Sequence, residues 1–442
     1  MSKDLQLNEQ RTTVSELGAR MLADGLTKGT GGNISIRAGD TVAISPSGMP
    51  YDEITPADVP LVDYEGAVVE GDRTPSSEVR MHTGVLRERE DVGAVVHTHS
   101  PYASTFASLA EPIPASHYLI AFAGDKVPAA GYATYGTAEL AELAVETLGE
   151  EYDACLLQNH GVLATGETVE AAYETALMVE YCARIHYQAT DIGDPKILST
   201  EEVDRLREVF AGYGQSVQDH SDTVGKAPGD LLEAERNTVA ELGRRMLEDD
   251  LTTGTGGNVS ARNDDRVAIN PSGVAYEDVE PSNIPIVDID GEQIAGELAA
   301  SSETPMHTRV YRERDDVGGV VHTHSPYAST FASLAEPIPA SHYLIAFAGD
   351  EVPIAGYDVP GSEALGGLAA DALGDEYNAC LLQNHGVLTV GENLEAAYEN
   401  ALMVEYCARI HYQATDIGEP ELLPDEEIDT LFERFADYGQ DH

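Results

Sequence analysis

The chain has 442 residues, 25 of them basic and 78 acidic, for a formal charge of −53. That balance excludes nucleic acid as a partner, because phosphate backbones are bound by basic patches. No run of about 18 apolar residues occurs and no apolar leader follows Met1, so no membrane span or membrane partner is expected. The acids are scattered through a chain that is 42% hydrophobic, which describes a globular protein with an evenly acidic surface. Such a surface suits a very salty cytoplasm, where screening weakens self-repulsion. Cys155, Cys182, Cys380 and Cys407 sit among apolar neighbours without metal-site spacing, as expected of buried thiols in a reducing cytosol.

Val96 to Asp125 returns unchanged as Val321 to Asp350, an offset of 225 that also takes Asn33 to Asn258 and His160 to His385. One domain-sized unit is therefore written twice, over residues 1–214 and 231–442. The polar stretch 215–230 between them lacks apolar periodicity and reads as a linker.

In the first copy, Val14, Leu17 and Met21 fall at helical spacing. The glycine-rich loop Lys28 to Asn33 leads into an alternating strand, Ile34 to Arg37. Thr41 to Ile44 is a second strand, closed by the turn Ser45-Pro46-Ser47-Gly48, and Pro60 to Asp63 is a third. Ser76-Ser77-Glu78 opens a helix to about Arg89. Val95-Val96-His97-Thr98-His99 reads as a buried strand whose alternation sets both histidines on one face. Pro101 to Ala110 is then a helix, Thr137 to Leu148 another, and Ala154 to Gln158 a buried strand that ends in Asn159-His160-Gly161. Helices over Ala171 to Ala189 and Glu201 to Phe210 complete an α/β or α+β layered unit.

His97, His99 and His160 all lie at exposed ends of core strands. Three neutral imidazoles leave a divalent zinc its full charge and an open position. Glu78, in the first turn of a helix where the macrodipole favours a carboxylate, makes a fourth ligand. Thr30, Asn33, Ser47, Gly48, Ser76 and Ser77 form three clusters of small donors; with a metal, they point to a phosphorylated, oxygen-rich substrate.

Gly29-Thr30-Gly31-Gly32-Asn33, Ser45-Pro46-Ser47-Gly48, Pro75-Ser76-Ser77-Glu78, His97-Thr98-His99, His117-Tyr118 and Gln158-Asn159-His160-Gly161, in this order and twice over, resemble the class II aldolase/adducin family. Their spacing is nearest to members that cleave L-fuculose 1-phosphate. The resemblance implies two tandem α/β/α sandwich domains, each on a mainly antiparallel nine-stranded sheet. It implies one zinc per copy, or another divalent ion, held by His97, His99, His160 and Glu78 and by His322, His324, His385 and Glu303. Glu78 and Glu303 would also act as acid/base. Phosphate would bind at Thr30, Asn33, Ser47, Gly48, Ser76 and Ser77, and at Thr255, Asn258, Ser272, Gly273, Ser301 and Ser302. Tyr118, Tyr213, Tyr343 and Tyr438 match tyrosines that reach into a neighbouring subunit's site. The expected reaction is cleavage of a ketose 1-phosphate to dihydroxyacetone phosphate and an aldehyde, by a homodimer forming a pseudo-fourfold ring. Alternatives within the resemblance are a sugar-phosphate 4-epimerase, whose relatives carry Asp where Glu78 stands, and a dehydratase or decarboxylase. A non-enzymatic adducin-like module would lack the metal histidines.

Overall fold

A computed structural model describes residues 3–210 and 228–436. In the first copy the elements are α1 (Lys3–Ala23), β1 (Asn33–Ala38), β2 (Thr41–Ile44), β3 (Leu61–Val62), β4 (Val68–Glu70), α2 (Val79–Glu88), β5 (Ala94–Thr98) and α3 (Pro101–Leu109). There follow β6 (Ile113–Pro114), β7 (Lys126–Val127), β8 (Ala129–Ala130), α4 (Ala138–Leu148), β9 (Ala154–Leu157), β10 (Gly161–Gly166), α5 (Val169–Ile192) and α6 (Thr200–Phe210). The main sheet runs β4-β3-β2-β1-β5-β10-β9-β8 and is antiparallel apart from β8 beside β9. Among the described residues it has eight strands where nine were expected. The short β6 and β7 pair with each other instead, and β6 ends in Pro114, which has no N–H to extend a ladder. The second copy repeats this sheet order and its separate two-stranded pair.

Alternation along the strands sorts the core into two faces. Under α2 and α4, Val42, Ile44, Val95, Cys155 and Leu163 of the sheet pack against Met81, Val85, Leu140 and Ala144. In the second copy, Met306 and Val310 from helix Thr304–Glu313 and Leu365 and Ala369 from helix Glu363–Leu373 cover the corresponding face. The opposite face there is covered by Val239 and Met246 of helix Glu233–Glu248 and by Ala397 and Ala401 of helix Leu394–Ile417. Helices on both faces of an antiparallel sheet make the α/β/α sandwich. All four cysteines are buried free thiols, and burial raises the pKa of Cys155 to about 12. Among the described residues, no helix is long and apolar enough to cross a membrane.

By packing, the chain forms two compact units: Met1–Ala115 with Leu119–Arg184, and Ser116–Tyr118 with Ile185–His442. These bounds differ from those of the sequence copies. Ser116–Tyr118 and the stretch from Ile185 through α6 belong to the first copy by sequence and to the second unit by packing. Of the expected linker, residues 215–227 lie outside the described residues.

Candidate active site

The histidines of the first centre come from adjacent strands. His97 lies in β5, on the same face as the buried Val95, and His99 follows just past the strand end. His160 lies in the three-residue turn joining β9 to β10. Asn159 adopts the left-handed conformation there (φ 55°), which asparagine tolerates better than most side chains. Glu78 is the residue immediately before the first turn of α2, the helix over that face. Strand ends and a helix start thus converge at one edge of the sandwich.

The imidazole Nε2 atoms of His97 and His99 are 3.1 Å apart. Glu78 places Oε2 3.3 Å from His97 Nε2 and Oε1 3.3 Å from His160 Nε2. In the second centre His322 Nε2 is 3.0 Å from His324 Nε2 and 3.1 Å from His385 Nε2. Glu303 lies 3.3 Å from His322 and 3.4 Å from His385. The three ligand atoms of each trio all lie within 4.8 Å of one another. Nitrogens about 2.0–2.1 Å from a tetrahedral zinc stand roughly 3.4 Å apart, so both centres are nearly at ligation geometry. Two further observations fit a cation. His97 Nδ1 donates to the Val162 carbonyl at 2.7 Å, and His322 Nδ1 to Val387 at 3.0 Å, which turns each Nε2 lone pair inward. Oε1 of Glu78 and of Glu303 is buried without a hydrogen-bond partner, an arrangement that a bound ion would relieve.

Burial favours the neutral form that ligation needs at His97, His99, His324 and His385. It lowers the pKa of His97 to about 3, and that of His324 and His385 well below the usual value. Two glycines permit the close approach. A Cβ on Gly31 would stand 2.7 Å from His99 Nδ1, and one on Gly161 would stand 2.2 Å from the Thr98 carbonyl oxygen. We expect Gly161→Ala to destabilise its half of the chain by about 1–3 kcal/mol, since backbone must move. Calorimetry should show a melting temperature lower by roughly 3–10 °C; an unchanged melt would refute the steric account.

The small donors fall into tied loops. The Ser45–Ser47 turn and the Pro75–Ser77 stretch are joined by Ser76 N–H to the Ser45 carbonyl and Ser47 N–H to the Thr74 carbonyl, both 2.9 Å. Ser47, Gly48 and Ser77 are exposed, and Ser76 is buried with its Oγ 3.2 Å from the Glu78 N–H. Thr30 is exposed in the loop whose Gly31 abuts His99. In the second copy the same ties run from Ser301 to Asn270 and from Ser272 to Ala299. There Ser301 is buried, Gly273 and Ser302 are exposed and Thr255 is half-buried. The exchange of Ser45 for Asn270 preserves one role: Ser45 Oγ accepts the Ile34 N–H at 2.9 Å and Asn270 Oδ1 accepts the Val259 N–H at 2.9 Å.

Asn33 and Asn258 are turned toward the glutamates. Asn33 Nδ2 donates to Glu78 Oε2 at 2.9 Å, and Asn258 Nδ2 to Glu303 at 2.7 Å. Behind each amide stands a fully buried histidine, His82 or His307, whose Nε2 meets the asparagine Oδ1. The sequence analysis passed over both. The available signal was a histidine four residues after Glu78, on the same helix face as the glutamate. Also missed was Glu180, whose carboxylate accepts the N–H groups of Tyr102 and Ala103 at 2.9 Å each and so caps α3, the helix that leaves His99.

Within the second unit, Tyr118 lies at the His322–His324–His385 centre. Its hydroxyl is 3.2 Å from His324 Nε2 and its ring centroid 4.3 Å from that of His385. The segment is anchored there. Tyr118 N–H donates to the Asn384 carbonyl at 2.9 Å, Asn384 Nδ2 donates to the Ser116 carbonyl at 2.8 Å, and His117 Nε2 meets the His385 carbonyl. Tyr118 is 6% exposed. Its counterpart Tyr343 is 50% exposed, with its ring 4.8 Å from that of His342. Tyr213 and Tyr438 lie outside the described residues.

Residues 12–187 and 237–412 both match a family described as Class II Aldolase and Adducin N-terminal domain. The chain is 49% identical over 211 residues to the 5-deoxy-D-ribulose 1-phosphate aldolase of Bacillus thuringiensis serovar kurstaki, covering 47% of this chain and 99% of that one. It is 37% identical over 217 residues to the L-fuculose phosphate aldolase of Escherichia coli O6:H1, covering 49% of this chain and all of that one. Among solved structures, an L-fuculose 1-phosphate aldolase matches at 43% identity and a TM-score of 0.45, over 46% of this chain and 96% of that one.

Proposed function

Because the chain belongs to the class II aldolase and adducin family, we propose that its two centres cleave a ketose 1-phosphate to dihydroxyacetone phosphate and an aldehyde. The enzyme is an aldehyde-lyase, as its named relatives are. The observation that carries the reading is the glutamate aimed into converging imidazoles, in both copies, with one carboxylate oxygen buried without a hydrogen-bond partner. His97, His99, His160 and Glu78 would hold one zinc, and His322, His324, His385 and Glu303 another. A divalent ion there supplies Lewis-acid polarisation of the substrate carbonyl.

The remaining chemistry belongs to side chains. In the cleavage direction the hydroxyl that becomes the aldehyde oxygen loses its proton, and the electrons of the breaking C–C bond move onto the carbon beside the carbonyl. The glutamate moves a proton at that carbon, close to the polarised carbonyl. At the second centre the Tyr118 hydroxyl handles the proton on the departing aldehyde's oxygen. Thr30, Ser47, Gly48, Ser76, Ser77 and the second N–H of Asn33 would receive the phosphate, with their counterparts in the second copy. Tyr118 at the second centre, and the half-exposed Tyr343, support a further reading: two chains close a pseudo-fourfold ring in which Tyr343 serves the first centre of the neighbouring chain.

The test is a panel of ketose 1-phosphates, including L-fuculose 1-phosphate and 5-deoxyribulose 1-phosphate, assayed in molar salt to screen the charge of −53. We expect dihydroxyacetone phosphate to appear, the rate to collapse with a chelator, and zinc to restore it. Failure of every ketose 1-phosphate to release that product, or indifference to chelation, would overturn the proposal.

A further inference from the structure

Glu78 and His82 are four residues apart at the start of α2, about 6 Å along a helix axis. Asn33 and Ser35 are two apart on β1, about 6.6 Å along a strand. The two periodicities match, so the helix pair faces the strand pair in register. The outcome is a buried row of four polar side chains. Ser35 Oγ is 2.7 Å from His82 Nδ1, His82 Nε2 meets Asn33 Oδ1, and Asn33 Nδ2 is 2.9 Å from Glu78 Oε2. Asn33 is also the cross-strand partner of His97, so the row ends beside the metal-site histidines. The second copy repeats it: Ser260 to His307 at 2.7 Å, His307 to Asn258 at 2.5 Å, Asn258 to Glu303 at 2.7 Å. Tyr311 adds its hydroxyl 2.8 Å from Ser260 Oγ.

Donor and acceptor roles along the row follow from its far end. A carboxylate only accepts, so the asparagine turns its NH2 to the glutamate and its oxygen to the histidine. The histidine therefore carries its proton on Nε2, and Nδ1 accepts from the serine hydroxyl. His82 and His307 are 0% exposed, so bulk solvent does not reach them. Were the imidazole removed, the asparagine oxygen would be buried without a donor, and the amide could flip to relieve it. A flipped amide presents oxygen to the glutamate, repelling the carboxylate and moving it off its place beside the imidazoles.

We infer that His82 and His307 are positioning residues, each fixing the orientation of one asparagine amide and through it the place of the catalytic glutamate. The inference rests on the proposed role of Glu78 and Glu303. Neither histidine touches substrate or metal in this scheme; each acts only through Asn33 or Asn258.

The test replaces both copies together. His82→Phe with His307→Phe should lower kcat about 10–100-fold, the range for supporting groups at metal sites, and raise KM as well, because the flipped amide also withdraws the N–H offered to the phosphate. His82→Gln with His307→Gln, which keeps an N–H donor toward the asparagine, should recover most of that loss. Adding the Phe pair to Asn33→Ala with Asn258→Ala should cost nothing further, because the groups through which the histidines act are already gone. Wild-type kcat in the Phe pair, or full additivity with the Ala pair, would overturn the inference. A readout independent of turnover comes from 15N imidazole spectra of the metal-free protein. The signals that vanish in the Gln pair should be those of Nε2-protonated rings; Nδ1-protonated rings would overturn the assignment. The spectra also separate the two claims, since a protein inactive on every ketose 1-phosphate could still show the tautomer.

Discussion

Glu78→Gln combined with Glu303→Gln should abolish aldol cleavage while leaving metal bound. A glutamine amide cannot take up a proton at neutral pH, and loss of a general acid/base typically costs 10²–10⁴-fold in rate. Three imidazoles per centre remain, enough to hold zinc, and His97 and His322 keep the carbonyl partners that aim their rings. The double variant should thus retain its zinc by elemental analysis, with turnover lower by about three orders of magnitude. Normal turnover would remove the glutamates from the mechanism. Loss of zinc along with activity would make them ligands whose chemical role is untested by this variant, and the single variants would then be compared at saturating zinc.

The second expected result is an asymmetry between tyrosines of identical local sequence. Ser116-His117-Tyr118 and Ser341-His342-Tyr343 are the same three residues, but only the first is buried at a described histidine centre. With Glu78→Gln silencing the first centre, Tyr118→Phe should lower the remaining activity by roughly 10²-fold, because the surviving Glu303 centre loses its hydroxyl. Tyr343→Phe in the same background should change little. In a Glu303→Gln background the dependence should reverse, with the surviving Glu78 centre relying on Tyr343 of a second chain. Equal activity of the paired variants would rule out this division. If the second dependence holds, activity of the Glu303→Gln protein should also fall on dilution to the monomer, whereas that of the Glu78→Gln protein should persist.

Much of this arrangement is written in short-range pattern. The alternation Val95-Val96-His97-Thr98-His99 places two imidazoles on one face without tertiary information, and Ser76-Ser77-Glu78 announces the start of α2 to within one residue. Other features carry no such mark. The strand β10 was missed because the turn at Asn159 uses only three residues, and the run Gly161 to Gly166 has little alternation, being buried on both faces. β4 is short and exposed, so burial never shaped its composition. His82 looks like any helix residue until β1 is laid against it, since its partners are 47 and 49 positions away. The different surroundings of Tyr118 and Tyr343 cannot be read locally at all, because the thirty-residue stretches that contain them are identical.

The buried row behind each glutamate also bears on how the duplicated gene has been kept. The row's residues lie outside the stretch repeated letter for letter. Around them the copies have drifted: Ile36 faces Ala261, Leu86 faces Tyr311 and Ser45 faces Asn270 across the repeat. Ser35, Asn33, His82 and Glu78 have not changed in their counterparts. A buried polar row is costly to keep once purposeless, since each unpaired member costs about 1–3 kcal/mol and apolar replacement of the set can be neutral or stabilising. Had one copy become a mere scaffold for the other, random substitution would have tended to convert its row to hydrocarbon. Two intact rows amid altered neighbours match the proposal that both centres work.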